Sequence, residues 1–196
     1  MKIHAISTGH VRITNRFIKG KGRGFLRKLR VAFDSHFSEP LPVFCYLIEH
    51  PEGPILIDTG SAVNHLNMKQ YPAFNRFFIN QSAKFEIGPE SDIHAGLKQA
   101  GFSVADLSRV IYTHLHQDHM GNLSDFSGCR VYVGEEELAA LTRPGHSLEG
   151  YFLQELYKGF SPISVRVESE SYGPFPGSYK LTNAGDVILV PTPGHS

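Results

Sequence analysis

The sequence predicts a layered α/β sandwich, built as a single domain over residues 1–196. Short β-rich runs dominate its first sixty residues, and strands and helices interleave after that. No internal repeat, low-complexity tract or linker divides the chain. With 196 residues, 41% of them apolar and 19% charged, it has the composition and length to bury a substantial core.

Each element has a local cause. Residues 2–7 and 10–14 read as a strand pair turning at Thr8-Gly9. Residues 42–49 (PVFCYLIE) and 54–57 (PILI) are apolar runs joined by His50-Pro51-Glu52-Gly53, the signature of a β-hairpin. Residues 61–90 show no clean period and are read as mixed helix and loop. Residues 91–100 (SDIHAGLKQA) predict a helix capped by Ser91, with Asp92 at the positive dipole end, Ile93, Leu97 and Ala100 on one face, and Gly101 as the stop. Strands follow at 110–113 and 130–133. A helix at 135–141 begins on acidic residues and stops at Arg143-Pro144-Gly145. Residues 147–158 are read as a further helix. Residues 164–168 and 187–190 are read as strands, separated by the Pro/Gly-rich loop 172–177.

Several function classes fall away on composition. No window approaches eighteen consecutive apolar residues, so no membrane span is expected. The first twenty residues are broken by His4, His10, Arg12 and Arg16 and lack the apolar region of a secretory signal. Cys45 and Cys129 are too few for a disulfide scaffold, and reduced thiols point to a cytoplasmic protein. Net charge is zero, yet residues 1–33 hold nine Lys or Arg and no Asp or Glu. A polyanionic partner is one reading of that stretch. A solvated face that offsets an acidic body is preferred, so no nucleic-acid partner is expected.

The chemistry concentrates in Thr113-His114-Leu115-His116-Gln117-Asp118-His119-Met120-Gly121-Asn122. Four metal-competent side chains fall within six positions. On an extended backbone His114 and His116 point to one side. Asp118 and His119 follow where the chain must turn. Imidazole and carboxylate suit zinc, and also iron or manganese. Packed together without a cation, these groups would conflict in protonation, so the segment is read as a metal site. His4, His10, His36, His50, His65, His94 and His146 are scattered and read as surface or structural histidines. Cys45 is expected to be buried and inert, and Met120 to pack under the histidine loop. Phe74, Phe77, Phe78 and Phe85 are read as core in preference to an acyl-chain pocket.

HLHQDH resembles the HxHxDH signature of the metallo-β-lactamase fold hydrolases. Leu56-Ile57-Asp58-Thr59-Gly60 is similar to that family's early aspartate motif, and Thr192-Pro193-Gly194-His195 to its TPGH segment. The flanking text, LIEHPEGPILIDTG, looks most like the branch that includes N-acyl-homoserine lactonases. The resemblance implies an αββα sandwich with two zinc ions in the full-length family. His114, His116 and His195 would hold the first metal, and Asp118 and His119 would contribute to the second. Asp58 would orient the cluster by hydrogen bonds without ligating. Position 116 is His where the flavodiiron branch has Glu, which favours a hydrolase.

The implied reaction is hydrolysis of a small ester or lactone by a hydroxide available at neutral pH, with Asp118 able to accept a proton. No serine nucleophile elbow is present. A thioester hydrolase of the glyoxalase II type shares the ligand set, and a nuclease or phosphodiesterase of the same fold is a further alternative. The family pattern continues past TPGH with a bridging aspartate, a catalytic tyrosine and a last histidine. The chain ends at Ser196, so it is expected to lack the C-terminal part of the sandwich and to offer one well-coordinated metal site. A catalytically incomplete metal-binding fragment is then the non-enzymatic alternative. Strand 187–190 is expected to show an unpaired edge and an uncovered face.

Overall fold

The computed structural model describes residues 1–19, 30–31, 33–62, 73–144, 146, 150–151, 160–167 and 170–194. A mixed seven-stranded sheet runs through it in the order β4-β1-β2-β3-β5-β6-β7. Its strands are β1 (Lys2–Ile13), β2 (Leu41–Glu49), β3 (Ile55–Ile57), β4 (Ala83–Glu86), β5 (Arg109–Tyr112), β6 (Arg130–Gly134) and β7 (Ile163–Val165). Pairings from β4 to β3 are antiparallel, and those from β3 through β5 and β6 to β7 are parallel. Helices α1 (Asn15–Lys19), α2 (Ala73–Ser82), α3 (Ile93–Gln99) and α4 (Glu135–Ala140) complete the main layers. A separate ribbon pairs β8 (Tyr179–Lys180) with β9 (Ile188–Leu189).

Side-chain alternation explains the layering. Leu47, Leu56, Val110, Tyr112, Val131 and Val133 face one core with Ile79 of α2, Ile93 and Leu97 of α3, and Ala140 of α4. Their neighbours Ile48, Ile55, Ile111 and Tyr132 face a second core with Val165 and Leu181, against which Tyr179, Val187 and Leu189 pack. Strands apolar on both faces belong in the middle of a sandwich, and each fully buried aliphatic side chain contributes about 1.5–3 kcal/mol. The result is helices, sheet and ribbon in three layers. The fourth layer that the resemblance implies is not among the described residues. Towards β1 the second face opens to solvent, where Ile3 is 59% exposed.

The structure corrects several sequence readings. Residues 2–13 form one strand instead of a pair, because Thr8-Gly9 is a bulge. The register shifts between Ser7 and His10, Gly9 takes φ 107°, and Thr8 is buried with its hydroxyl donating to Val43 O at 3.2 Å. Residues 83–86 form an edge strand, β4, inside the stretch read as helix and loop. Asp92, not Ser91, caps α3, its carboxylate accepting from the N–H of His94. Within the expected helix 147–158 only Gly150 and Tyr151 are described. Gly150 has φ 105° and Tyr151 bridges to His116, so neither is helical. Among the described residues strand β9 pairs with β8 alone, so its other side is the edge expected there, but its face is not bare, since Val187 and Leu189 cover part of the second core. The hairpin of β2 and β3 forms as expected, in antiparallel register.

Candidate metal centre

Strands β3 and β5 run side by side and in parallel, and the chain leaves both at their carboxyl ends, where α/β sheets place ligand sites. Beyond β3, Asp58 takes a left-handed backbone conformation, φ 58°, an uncommon state for a residue other than Gly or Asn. Surrounding hydrogen bonds hold it there. Asp58 N donates to Ile111 O at 2.8 Å, Thr59 N to His119 O at 2.8 Å, and Gly121 N to Gly60 O at 2.7 Å. The Thr59 hydroxyl donates to Gly121 O at 2.6 Å. Met120 is fully buried beneath the loop, as expected. These bonds fix the histidine loop relative to Asp58.

The Asp58 carboxylate is buried and surrounded by donors. Its Oδ1 accepts from Thr113 N at 2.8 Å, and its Oδ2 accepts from the Thr113 hydroxyl and from Nδ1 of His119, both at 2.8 Å. A carboxylate only accepts, so His119 carries a proton on Nδ1, and in the neutral ring its lone pair falls on Nε2. Thr113 has one hydroxyl proton and gives it to Asp58. Its oxygen therefore accepts from His114 Nδ1 at 3.0 Å, which leaves the lone pair of His114 on Nε2 as well. One buried aspartate thus sets the tautomer of two histidines.

The structure brings His114, His116, Asp118 and His119 together. The His114 ring lies 4.6 Å from that of His116 and 4.0 Å from that of His119, centroid to centroid. Asp118 Oδ2 stands 3.8 Å from His119 Nε2. Burial pulls His119 towards neutrality. The Asp58 hydrogen bond and the charges of Asp118 and Asp58 outweigh it, so its pKa stands above the ordinary histidine value. His195 lies outside the described residues.

Among the described residues, no group of three or more His, Cys, Asp or Glu side chains is arranged to hold an ion. The donor chemistry nevertheless fits a divalent cation: adjacent imidazoles with Nδ1 engaged, and a carboxylate beside them. Thr59 and Thr113 belong to this network, and Glu137 and Tyr151 meet the histidine loop from other elements, which no local sequence pattern marks. Thr113 was visible only as the neighbour of His114.

Other candidates fall elsewhere. Cys45 is fully buried, and burial pushes its thiol pKa up. Cys129 approaches Val104 O at 3.8 Å. His4, His50 and His94 pair with Glu49, Asp186 and Asp125. Phe78 is buried, Phe85 packs against the first core, and Phe77 is half exposed. His65, the side chain of Phe74 and basic residues 20–29 lie outside what is described. No helix among the described residues is long and apolar enough to cross a membrane.

The sheet is thus sandwiched between helices and a ribbon, with a histidine loop braced on a buried aspartate at its parallel-strand ends. The profile of the metallo-beta-lactamase superfamily matches residues 38–195, and the chain belongs to that superfamily. An N-acyl homoserine lactonase of Bacillus thuringiensis is 33% identical over 159 residues, covering 80% of this chain and 55% of the relative. The N-acyl homoserine lactonase AiiB of Agrobacterium fabrum is 27% identical over 143 residues, covering 72% and 50%. A solved N-acyl homoserine lactone hydrolase, with the product N-hexanoyl-L-homoserine bound at its catalytic metal center, superposes with a TM-score of 0.71 at 27% identity. That match covers 100% of this chain and 66% of the solved one. The chain therefore spans about half the length of the curated relatives it matches.

Proposed function

We propose that this chain carries the histidine-loop portion of a metal-dependent hydrolase that opens the ring of small lactones, N-acyl homoserine lactones first. The reading is carried by the Asp58–Thr113–His114 and Asp58–His119 hydrogen bonds, which prepare two imidazoles of the HxHxDH loop as ligands. The similarity to named lactonases over 80% of the chain supports the substrate class.

His114, His116 and His195 would hold one metal, and Asp118 and His119 would contribute to a second. Zinc is the leading candidate. When bound, the cation supplies a water of lowered pKa and polarises a carbonyl oxygen. The chain's residues do the rest. Asp58 keeps the His114 and His119 rings in one tautomer and orientation. Asp118, partly exposed beside His119, would accept the proton that the attacking water loses. Hydrolysis joins the water oxygen to the lactone carbonyl carbon and breaks the ring C–O bond, and that proton ends on the released alcohol.

Elemental analysis of the zinc-loaded chain, run beside an assay of acid release from N-hexanoyl homoserine lactone, tests the reading. Stoichiometric zinc with ring opening is the expected result, both lost in His116→Ala. A chain that takes up no metal, or a His116→Ala variant that retains turnover, would overturn it.

A further inference from the structure

We infer that Glu137 and Tyr151 are positioning residues for His116, forming a second bracket on the histidine loop apart from that of Asp58; the inference rests on the metal-centre reading above. Asp58 and Thr113 orient His114 and His119. The third imidazole of the motif, His116, is braced from other elements.

The bracket begins in α4. Glu137 lies in the first turn of that helix, and its Oε2 accepts the backbone N–H of Leu115 at 3.1 Å. Leu115 is fully buried between the two histidines that flank it in sequence. Its N–H therefore needs an acceptor inside the protein, and α4 supplies a charged one. The Tyr151 hydroxyl donates to the same carboxylate, 3.2 Å from Oε2 and 3.4 Å from Oε1. Tyr151 is buried, and its ring meets that of His116 edge to face, with centroids 4.7 Å apart and planes at 81°.

Backbone contacts close the other side. His116 and Tyr151 form an isolated antiparallel bridge, and Gln117 N–H donates to Gly150 O at 3.1 Å. Gly150 has φ 105°, and a Cβ there would lie 3.4 Å from His116 Cδ2, so its backbone passes against the imidazole. The residues on both sides of His116 are thus tied by their N–H groups, one to Glu137 and one to Gly150. The ring itself rests on a tyrosine whose hydroxyl ends on Glu137. Moving His116 requires breaking this set, and a single carboxylate joins α4 to the loop and to Tyr151.

Two readouts on the full-length chain test the inference. In the metal-free protein, the ring resonances of His116 report the bracket directly. Cobalt(II) titration, followed by its d–d absorption, then reports affinity and ligand geometry, with thermal melting measured alongside. In Glu137→Ala and Tyr151→Phe, the His116 resonances should shift or broaden while those of His114 and His119 stay. Cobalt affinity should fall about 10-fold or more, with a changed absorption band. Glu137→Gln keeps an oxygen for Leu115 N–H and should restore both readouts towards the parent. Tyr151→Phe removes one oxygen and keeps the ring, so it serves if Glu137→Ala does not fold. A merely structural role would lower melting temperatures and leave the band of the folded protein unchanged. Parent-like resonances and affinity in both variants would overturn the inference and leave the metal reading intact. A parent chain that binds no cobalt would overturn the metal reading and the positioning role with it.

Discussion

The two ends of the parallel strands use the same chemistry for different ends. At the carboxyl end, buried Asp58 holds His119 and, through Thr113, His114, each by its Nδ1. At the amino end, His50 in the turn between β2 and β3 has a side chain only 1% exposed. Its Nε2 lies 2.9 Å from Asp186 Oδ1, and its Nδ1 accepts the N–H of Glu52 at 3.0 Å. Glu52 in turn accepts from Arg109 at 2.9 Å and from Ala184 N at 3.1 Å. That network ties the segment 182–186 to the start of the sheet. A histidine with both nitrogens engaged is a staple. A histidine held by Nδ1, with its Nε2 lone pair set by a neighbouring carboxylate, is prepared to ligate.

The largest expected effect comes from removing the anchor at the carboxyl end. Asp58→Ala leaves the Thr113 N–H and the Nδ1 proton of His119 without their acceptor in a buried setting. It also places a β-carbon residue with no side-chain hydrogen bond in a left-handed conformation. The loss should be about 3 kcal/mol in denaturant unfolding, as for other broken buried pairs. Zinc affinity should fall about 10- to 100-fold. Asp58→Asn separates the two effects. Asn tolerates φ near 58°, so stability should largely return. Its NH2 cannot accept where the carboxylate did, so affinity should stay low. Equal zinc binding by Asn and Asp at this position would break the distinction between the two ends.

How much of this was legible in the sequence follows the range of the interactions. HLHQDH and LIDTG could be read because ligand spacing is local and the residue types are chemically selective. The β2–β3 hairpin could be read because its turn residues are Pro and Gly. The bulge at Thr8-Gly9 could not, since a hairpin turn and a bulge begin with the same dipeptide. The partner that decides between them, Glu86 of β4, lies 77 residues beyond Gly9. The same distance hid Glu137, whose three-acid run looked like a helix start. It is one, and it also reaches Leu115, 22 residues back. The neighbourhood of Tyr151 reads as helix, because nothing in it shows the bridge to His116. His50, isolated in the sequence, reads as structural, although its partner Asp186 is 136 residues away.

A smaller effect is expected from cutting the staple. In His50→Ala, the N–H of Glu52 loses its acceptor, while Asp186, about half exposed, turns to water. The cost should be about 1–2 kcal/mol, that of one or two hydrogen bonds with a partly solvated partner. Zinc affinity should equal that of the parent, because the hydrogen bonds of His50 among the described residues run to Asp186 and Glu52, away from the histidine loop. A His50→Ala chain that binds zinc more weakly would mean that the two ends are coupled through β3 and β5. The separation argued above would then fail.

The smallest effect is a change in pH dependence. Hydrogen bonds from the Thr182 hydroxyl and from His50 hold the Asp186 carboxyl below the ordinary aspartate pKa. Because the folded value is depressed, the stability this group contributes is fully present above its unfolded pKa of about 3.9 and is lost as pH falls through the folded value. Other carboxylates, Asp34, Glu49 and Glu52 among them, are lowered in the same way, so the parent's acid limb sums several groups. The contribution of Asp186 is read as a difference. Melting temperatures of the parent and of Asp186→Asn, followed from pH 7 to pH 2, should converge in acid and separate above about pH 4. His50 also carries its proton on Nε2 towards Asp186, since Nδ1 accepts from Glu52, so the bond survives in the neutral imidazole. The gap between the two curves should therefore persist to pH 7. Curves that stay together above about pH 4 would show that the hydrogen bonds of Thr182 and His50 do not hold this carboxylate in the fold.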